Sequence, residues 1–348
     1  MRTISLVLVA AIVMAGCLAG TKSDNGAQPT GTTDTTNALT ATEKPVAPQE
    51  DALAPTTGAG QPIQEGNFGG SLVHDGVERT YELHVPPGLL SNQSIPLMLV
   101  IHPALANAAA VHGGFGFDSY ADEHGFIIAY PDGTREEAGS DERTWNAMHC
   151  CGVGHSTNVD DVGFLLDLIA KMRRDYPLDA GHIGLVGHSN GAMLAHRFAA
   201  THSELVSSVT AVGGTIGGQE DRFSPQLQVP DPSSPVSVQI IHAYDDPIVT
   251  YYGGPNRGFY ERNRLDTPVR DSVDFWRDYD GATEKTGSWS DNGVDYETYR
   301  APDGTEVDLV STNGGHGWPG SGQPIPKIVK VPPFPHATLL AVEFFLAH

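Results

Sequence analysis

Between a short apolar run and a good helix former, this chain carries the five-residue turn Gly187-His188-Ser189-Asn190-Gly191. His182 to Val186 has strand length before it, and Ala192 to Ala200 follows as a helix. A G-x-S-x-G at a strand-to-helix junction holds its serine in a sharp turn with the hydroxyl exposed. The flanking glycines let helix and strand pass closely, because no Cβ stands between them. The helix N-terminus directs amide N–H groups and positive dipole at any negative charge developing beside the serine. This arrangement requires a helix-covered sheet and predicts two further residues downstream, an acid and then a histidine.

Apolar runs at Leu97 to Ile101, Phe126 to Ala129, Ile183 to Val186, Val206 to Val212 and Val236 to Ile241 read as buried strands. Val307 to Val310 reads as the last one. Continuous apolar strands belong to sheets covered on both faces. Helices are predicted over 117–123, after an Asp160-Asp161 cap with Val162, Leu165, Leu166, Ile169 and Met172 on one face, and over 337–347. Another is predicted to open at a Thr267 cap with Pro268 as its first residue and to run to about Tyr279. Ser71 to His74 and Arg79 to Val85 alternate around Asp75-Gly76, the pattern of an antiparallel hairpin. The fold class is therefore α/β, a mostly parallel central sheet with helices on both faces and an antiparallel N-terminal hairpin.

A serine hydroxyl needs a base in reach and a third group to orient that base. The strand ending at Ala243 runs straight into Tyr244-Asp245-Asp246-Pro247, which makes Asp246 the candidate acid and Asp245 its alternative. The glycine-rich stretch from Ser311 to Gly320 carries His316 after the last strand, making it the candidate base. Two N–H donors for an oxyanion are expected from Asn190 and from the loop after Ile101. Pro103 has no N–H, so Ala104 is the first choice there and Leu105 the second. Trp318, Trp145 and His188 lie beside these elements and are candidate substrate-binding residues, with core packing the alternative for Trp145. His102 is expected to shape the oxyanion loop, and His182 and His242 to be structural.

Residues 1–16 read as an export leader: Arg2, an apolar stretch too short to span a bilayer, then Met14-Ala15-Gly16-Cys17, which resembles a bacterial lipobox. Cleavage before Cys17 would leave a cysteine for lipid attachment, with ordinary signal cleavage the alternative. Residues 17–63 have almost no large apolar side chains and read as a disordered tether. Residues 64–348 read as the catalytic domain. The net charge of −22, from 42 acidic and 20 basic residues, repels phosphate backbones and argues against a nucleic-acid partner. Cys150 and Cys151 are adjacent and read either as a vicinal disulfide or as two buried thiols. His149, Cys150, Cys151 and His155 lack a second ligand pair at finger spacing, so neither metal nor cofactor is called for.

The chain resembles the polyhydroxybutyrate depolymerase and feruloyl esterase group of secreted α/β-hydrolases. The resemblance is carried by Arg79 to Pro87, Pro96 to Asn107, His124 to Asp132, Thr144 to Gly152 with its Cys-Cys-Gly, and Val159 to Val162. It continues through Gly187 to Met193, Asp246-Pro247 and Gly315-His316-Gly317-Trp318-Pro319-Gly320. It implies an α/β-hydrolase fold and a serine carboxylesterase acting through Ser189, Asp246 and His316 on polyesters or acylated polysaccharide. Two positions depart from the group: Pro103 replaces a glycine, and Ala243 follows His242 where the group has glycine. A serine peptidase of the same fold and a non-catalytic surface-binding lipoprotein are the competing readings.

Overall fold

The computed structural model describes residues 60–257, 261, 263–321 and 334–348. The leader, Cys17 and nearly all of the tether lie outside the described residues. The chain is already tied to the domain slightly before residue 64. The Ile63 N–H donates to Leu89 O, and the Ser91 N–H donates to Gln61 O.

Ten strands form one sheet: β1 Gly66–His74, β2 Val77–Val85, β3 Ile95–Ile101, β4 Ile127–Pro131, β5 Leu178–His188, β6 Ser208–Val212, β7 Ser237–Ala243, β8 Glu284–Asp291, β9 Val294–Arg300 and β10 Glu306–Thr312. Their spatial order is β1-β2-β4-β3-β5-β6-β7-β10-β9-β8. The run from β4 through β10 is parallel, and each edge is closed by antiparallel strands. The N-terminal hairpin turns at Asp75-Gly76, both with positive φ, as its sequence predicts. The second hairpin, β8–β9, is an addition to the expected layout. It turns at Asn292-Gly293, again with both φ positive.

Alternate residues of the central strands serve opposite faces. Leu97, Leu99, Ile101, Ile127 and Ile240 enter one apolar core; Met98, Val100, Ile128 and Ile241 enter the other. Helices α4 Asp161–Asp175, α5 Asn190–Thr201 and α6 Val269–Asp280 cover the first face. Helices α1 Ala108–Phe115, α2 Asp118–His124 and α7 Ala337–Ala347 cover the second, while the short α3 Gly152–Ser156 sits in a loop. This double covering is why the parallel strands read as unbroken apolar runs. The fold is that of an α/β-hydrolase. Asp160 caps α4 by accepting from the Gly163 N–H. The cap of α6 departs from expectation. Pro268 itself is the flanking residue, and no side chain caps that helix.

One register row crosses the sheet through Ile101, Gly187, Ala211, Ile240 and Leu309. The loops beyond these residues therefore leave the same edge together. They carry His102, Ser189, Gly213, Asp246 and His316, residues far apart in sequence. Among the described residues, no helix is long and apolar enough to cross a membrane.

Candidate active site

Ser189 sits between β5 and α5 with φ +55° and ψ −119°, a conformation that costs a non-glycine residue free energy and is held by its surroundings. Its N–H donates to Val212 O, and its carbonyl accepts from the Met193 N–H. The flanking glycines are required by close approach. A Cβ on Gly187 would stand 2.3 Å from Gly191 O, and one on Gly191 would stand 2.3 Å from Ile101 O. Any side chain at either position would force the helix off the sheet.

His316 Nε2 lies 2.7 Å from Ser189 Oγ, and His316 Nδ1 lies 2.6 Å from Asp246 Oδ2. The carboxylate can only accept, so Nδ1 carries the proton and Nε2 is free to accept from the hydroxyl. All three side chains are buried. Asp246 is fixed further by the Ile248 and Val249 N–H groups, both donating to Oδ1. Burial pushes its pKa up, but the His316 and His242 rings outweigh this and hold it below the usual carboxylate range. His242 is structural, as expected: Nε2–H donates to Val249 O and lies 3.4 Å from Asp246 Oδ2.

The structure separates the two candidate acids. Asp246 meets the ring, whereas Asp245 is exposed and its Oδ1 accepts from the Gly314 and Gly315 N–H groups. One aspartate therefore orients the imidazole, and its neighbour pins the loop that bears it.

Of the oxyanion candidates, Leu105 is already committed, because its N–H donates to Arg143 O at 2.8 Å. The N–H groups of Ala104 and Asn190 have no acceptor among the described residues. His102 holds the loop that carries Ala104. Its Nε2 accepts from the Gly133 N–H, its Nδ1–H donates to Pro103 O, and its carbonyl accepts from Trp145 Nε1–H. Burial, opposed by the bond to Pro103 O and the charge of Asp132, pushes its pKa down to about 4, so the ring is neutral.

The aromatic substrate-wall expectation needs correction. Trp318 is fully buried, stacked on Phe115 at 4.0 Å between ring centroids, with Nε1–H donating to Thr338 Oγ1. Trp145 is equally buried, which fits its core-packing alternative. His188 is also enclosed, and its Nε2–H donates to His316 O. Burial, reinforced by the nearby His316, drives its pKa down to about 3. These three residues brace the site from behind. Glycine-rich backbone does not imply exposed side chains, because it lets a loop press its one large ring into the core.

A bracing residue absent from the sequence reading is the Asn190 side chain. Its Oδ1 accepts from the Trp145 N–H and its Nδ2–H donates to Trp145 O, locking the 144–151 loop to the turn. Cys150 and Cys151, in that loop, are joined as a vicinal disulfide, with Arg264 Nη1 3.0 Å from Cys150 Sγ.

A family model described as esterase PHB depolymerase matches residues 79–255, just over half of the chain. Acetylxylan esterase A of Emericella nidulans is 23% identical over 241 residues, covering 65% of this chain and 75% of that protein. Feruloyl esterase B of Talaromyces stipitatus is 25% identical over 162 residues, covering 47% of this chain and 42% of that protein. Among solved structures, an acetyl xylan esterase from Aspergillus awamori superposes with a TM-score of 0.52 at 16% identity. It covers 78% of this chain and 94% of that one, a likeness of fold. The chain belongs to the PHB depolymerase esterase family and is a carboxylic ester hydrolase.

Proposed function

We propose that Ser189, His316 and Asp246 form the catalytic triad of a serine carboxylesterase that removes acyl groups from esterified carbohydrate. The observation carrying this is the unbroken hydrogen-bond chain from Ser189 Oγ through His316 to Asp246 at the strand-to-helix turn. Ser189 Oγ attacks the ester carbonyl while His316 Nε2 takes its proton. The Ala104 and Asn190 N–H groups receive the oxyanion of the tetrahedral intermediate. His316 then returns the proton to the leaving alcohol, and water releases the acid by the reverse sequence. Asp246 keeps the ring in the tautomer this requires.

The carbohydrate reading is supported by the acetylxylan and feruloyl esterase names of the relatives. Polyester oligomers such as polyhydroxybutyrate are the alternative substrate, in keeping with the family's description. A panel of p-nitrophenyl acetate and octanoate, methyl ferulate, acetylated xylan and a hydroxybutyrate oligomer separates them. Acetylated xylan turned over faster than the oligomer, with Ser189→Ala inactive on both, is the expected result. Preference for the oligomer would reassign the substrate, and equal background rates for both proteins would remove the catalytic reading.

The leader and Cys17 support export and lipid anchoring of the enzyme at the cell surface. In the native host, Cys17→Ser should shift the protein from the membrane fraction to the soluble fraction. Retention in the membrane fraction would exclude that cysteine as the anchor.

A further inference from the structure

On the second helical face, the side chains of Glu82 and His84 from β2 meet His112 from α1 and Asp118 and Asp122 from α2. Potential ligand atoms of His84, His112 and Asp118 all lie within 4.8 Å of one another. Each histidine directs one ring nitrogen outward to its own carboxylate. His112 Nδ1 is 2.5 Å from Glu82 Oε2, and His84 Nε2 is 3.0 Å from Asp122 Oδ1. The other ring nitrogens converge on one oxygen. His112 Nε2 lies 2.8 Å and His84 Nδ1 lies 3.5 Å from Asp118 Oδ2. Asn67 Oδ1, directly across the β1–β2 ladder, lies 2.6 Å from the same His84 Nδ1. The remaining oxygen of Asp118 accepts from Tyr130 Oη–H at 2.7 Å.

A neutral imidazole has one N–H and one lone pair. In the tautomers whose N–H groups face Glu82 and Asp122, the two inward lone pairs face an anionic oxygen and an amide oxygen. Acceptors held together this way need positive charge among them. We propose that this cluster is a divalent transition-metal site, with zinc the best-matched ion. His84 Nδ1, His112 Nε2 and Asp118 Oδ2 are its ligands, and Asn67 Oδ1 or solvent takes the fourth position.

Zinc held tetrahedrally by N and O ligands at about 2.0–2.2 Å sets neighbouring donors about 3.3–3.6 Å apart. The 3.5 Å between His84 Nδ1 and Asp118 Oδ2 already has that spacing, and the 2.6 and 2.8 Å contacts of Asn67 and His112 would open by about 0.5–0.8 Å on binding. The outer arrangement fits as well. Ligating histidines typically donate their second N–H to a carboxylate, and ligating carboxylates are themselves hydrogen-bonded; Glu82, Asp122 and Tyr130 fill those positions. Both histidines are largely buried, with 9% and 12% of their side chains exposed, while Asp118 is 28% exposed and leaves one side of the cluster open to an entering ion. Bound metal would clasp the N-terminal hairpin to α1 and α2. Helix α1 begins immediately after the Ala104 loop, so the clasp would also steady that loop. The cluster is independent of the ester chemistry, and its test does not depend on it.

The test is calorimetric titration of the chelator-stripped, desalted full chain with zinc chloride at neutral pH, repeated on variants. One tight zinc per chain is expected, raising Tm by on the order of 5 °C at about 100-fold excess over Kd. Asp118→Asn and His112→Gln should each weaken binding at least about 100-fold, and Glu82→Gln about 10–100-fold. Cobalt bound in place of zinc should show tetrahedral visible bands without a thiolate charge-transfer band, separating this cluster from the cysteines. The only other histidine-bearing candidate cluster among the described residues includes His74, Asp75 and Asp160. His74→Gln should leave the tight zinc in place. No tight binding to the folded chain, or binding unchanged by Asp118→Asn and His112→Gln, would overturn the proposal and leave two imidazolium rings balancing the carboxylates. Binding lost in His74→Gln would overturn it equally.

Discussion

Around His316 and around His112, imidazole and carboxylate meet a different third group. At His316 the nitrogen opposite Asp246 faces Ser189 Oγ, a neutral hydroxyl that supplies its own proton. At His112 the nitrogen opposite Glu82 faces Asp118, an anion with no proton to give. The first array is complete with neutral histidine and suits proton transfer. The second requires a cation and suits metal or permanent charge. The comparison teaches that a histidine–aspartate pair does not declare its own role. The atom at the far nitrogen decides it, and that atom is contributed by another element of the fold.

The strongest way to break this contrast is Ser189→Ala. Removing the hydroxyl should lower kcat on the best ester by about 10⁴–10⁶-fold, because the members of a triad act as a unit. Zinc binding at the remote cluster should match wild type. Turnover within about tenfold of wild type would show that another nucleophile is used. Asp246→Asn should come next, with kcat down by about 10³–10⁴-fold, because the amide no longer selects the Nδ1–H tautomer.

The same substitution has a pH signature. Asp246 is held below the usual carboxylate range in the folded state, so it contributes stability above its unfolded pKa, and that stability is lost as pH falls through the folded value. Urea titrations at neutral pH should therefore place wild type about 2–4 kcal/mol above Asp246→Asn. The gap should narrow once pH drops below about 4. A gap independent of pH would mean that packing, rather than the carboxylate charge, is what the substitution removes.

Much of this was legible because the relevant physics is local. The apolar runs, the Asp75-Gly76 turn and the Asp160 cap each depend on neighbouring residues, and each appears where its sequence predicts. The β8–β9 hairpin had an equally local signal in Asn292-Gly293, but its strands carry many polar residues at the sheet edge and give no apolar run. Trp318 and Trp145 are different in kind. Their burial depends on Phe115, Thr338 and Asn190, which the fold brings from elsewhere. The His84 and His112 cluster left no motif at all, because three strands and two helices supply its members at irregular spacing. The order of serine, acid and histidine was readable, but the choice between adjacent aspartates rested on which carboxylate turns inward.

That choice supplies the smallest effect. Asp245→Ala removes the acceptor of the Gly314 and Gly315 N–H groups and leaves the bond between Asp246 and His316 intact. The loop keeps two other anchors, the bond from His188 to His316 O and the burial of Trp318 against Phe115. Both freed N–H groups lie at the surface, where water can replace the carboxylate, so the loss is that of an exposed hydrogen bond. The ring should therefore spend less time in line with Ser189 without losing its tautomer. A fall in kcat of about tenfold or less is expected, with KM little changed. Asp245→Asn should recover part of it, since the amide oxygen can still accept. A loss as large as that of Asp246→Asn would mean that loop position, more than ring orientation, limits the reaction. The assigned roles of the two aspartates would then have to be exchanged.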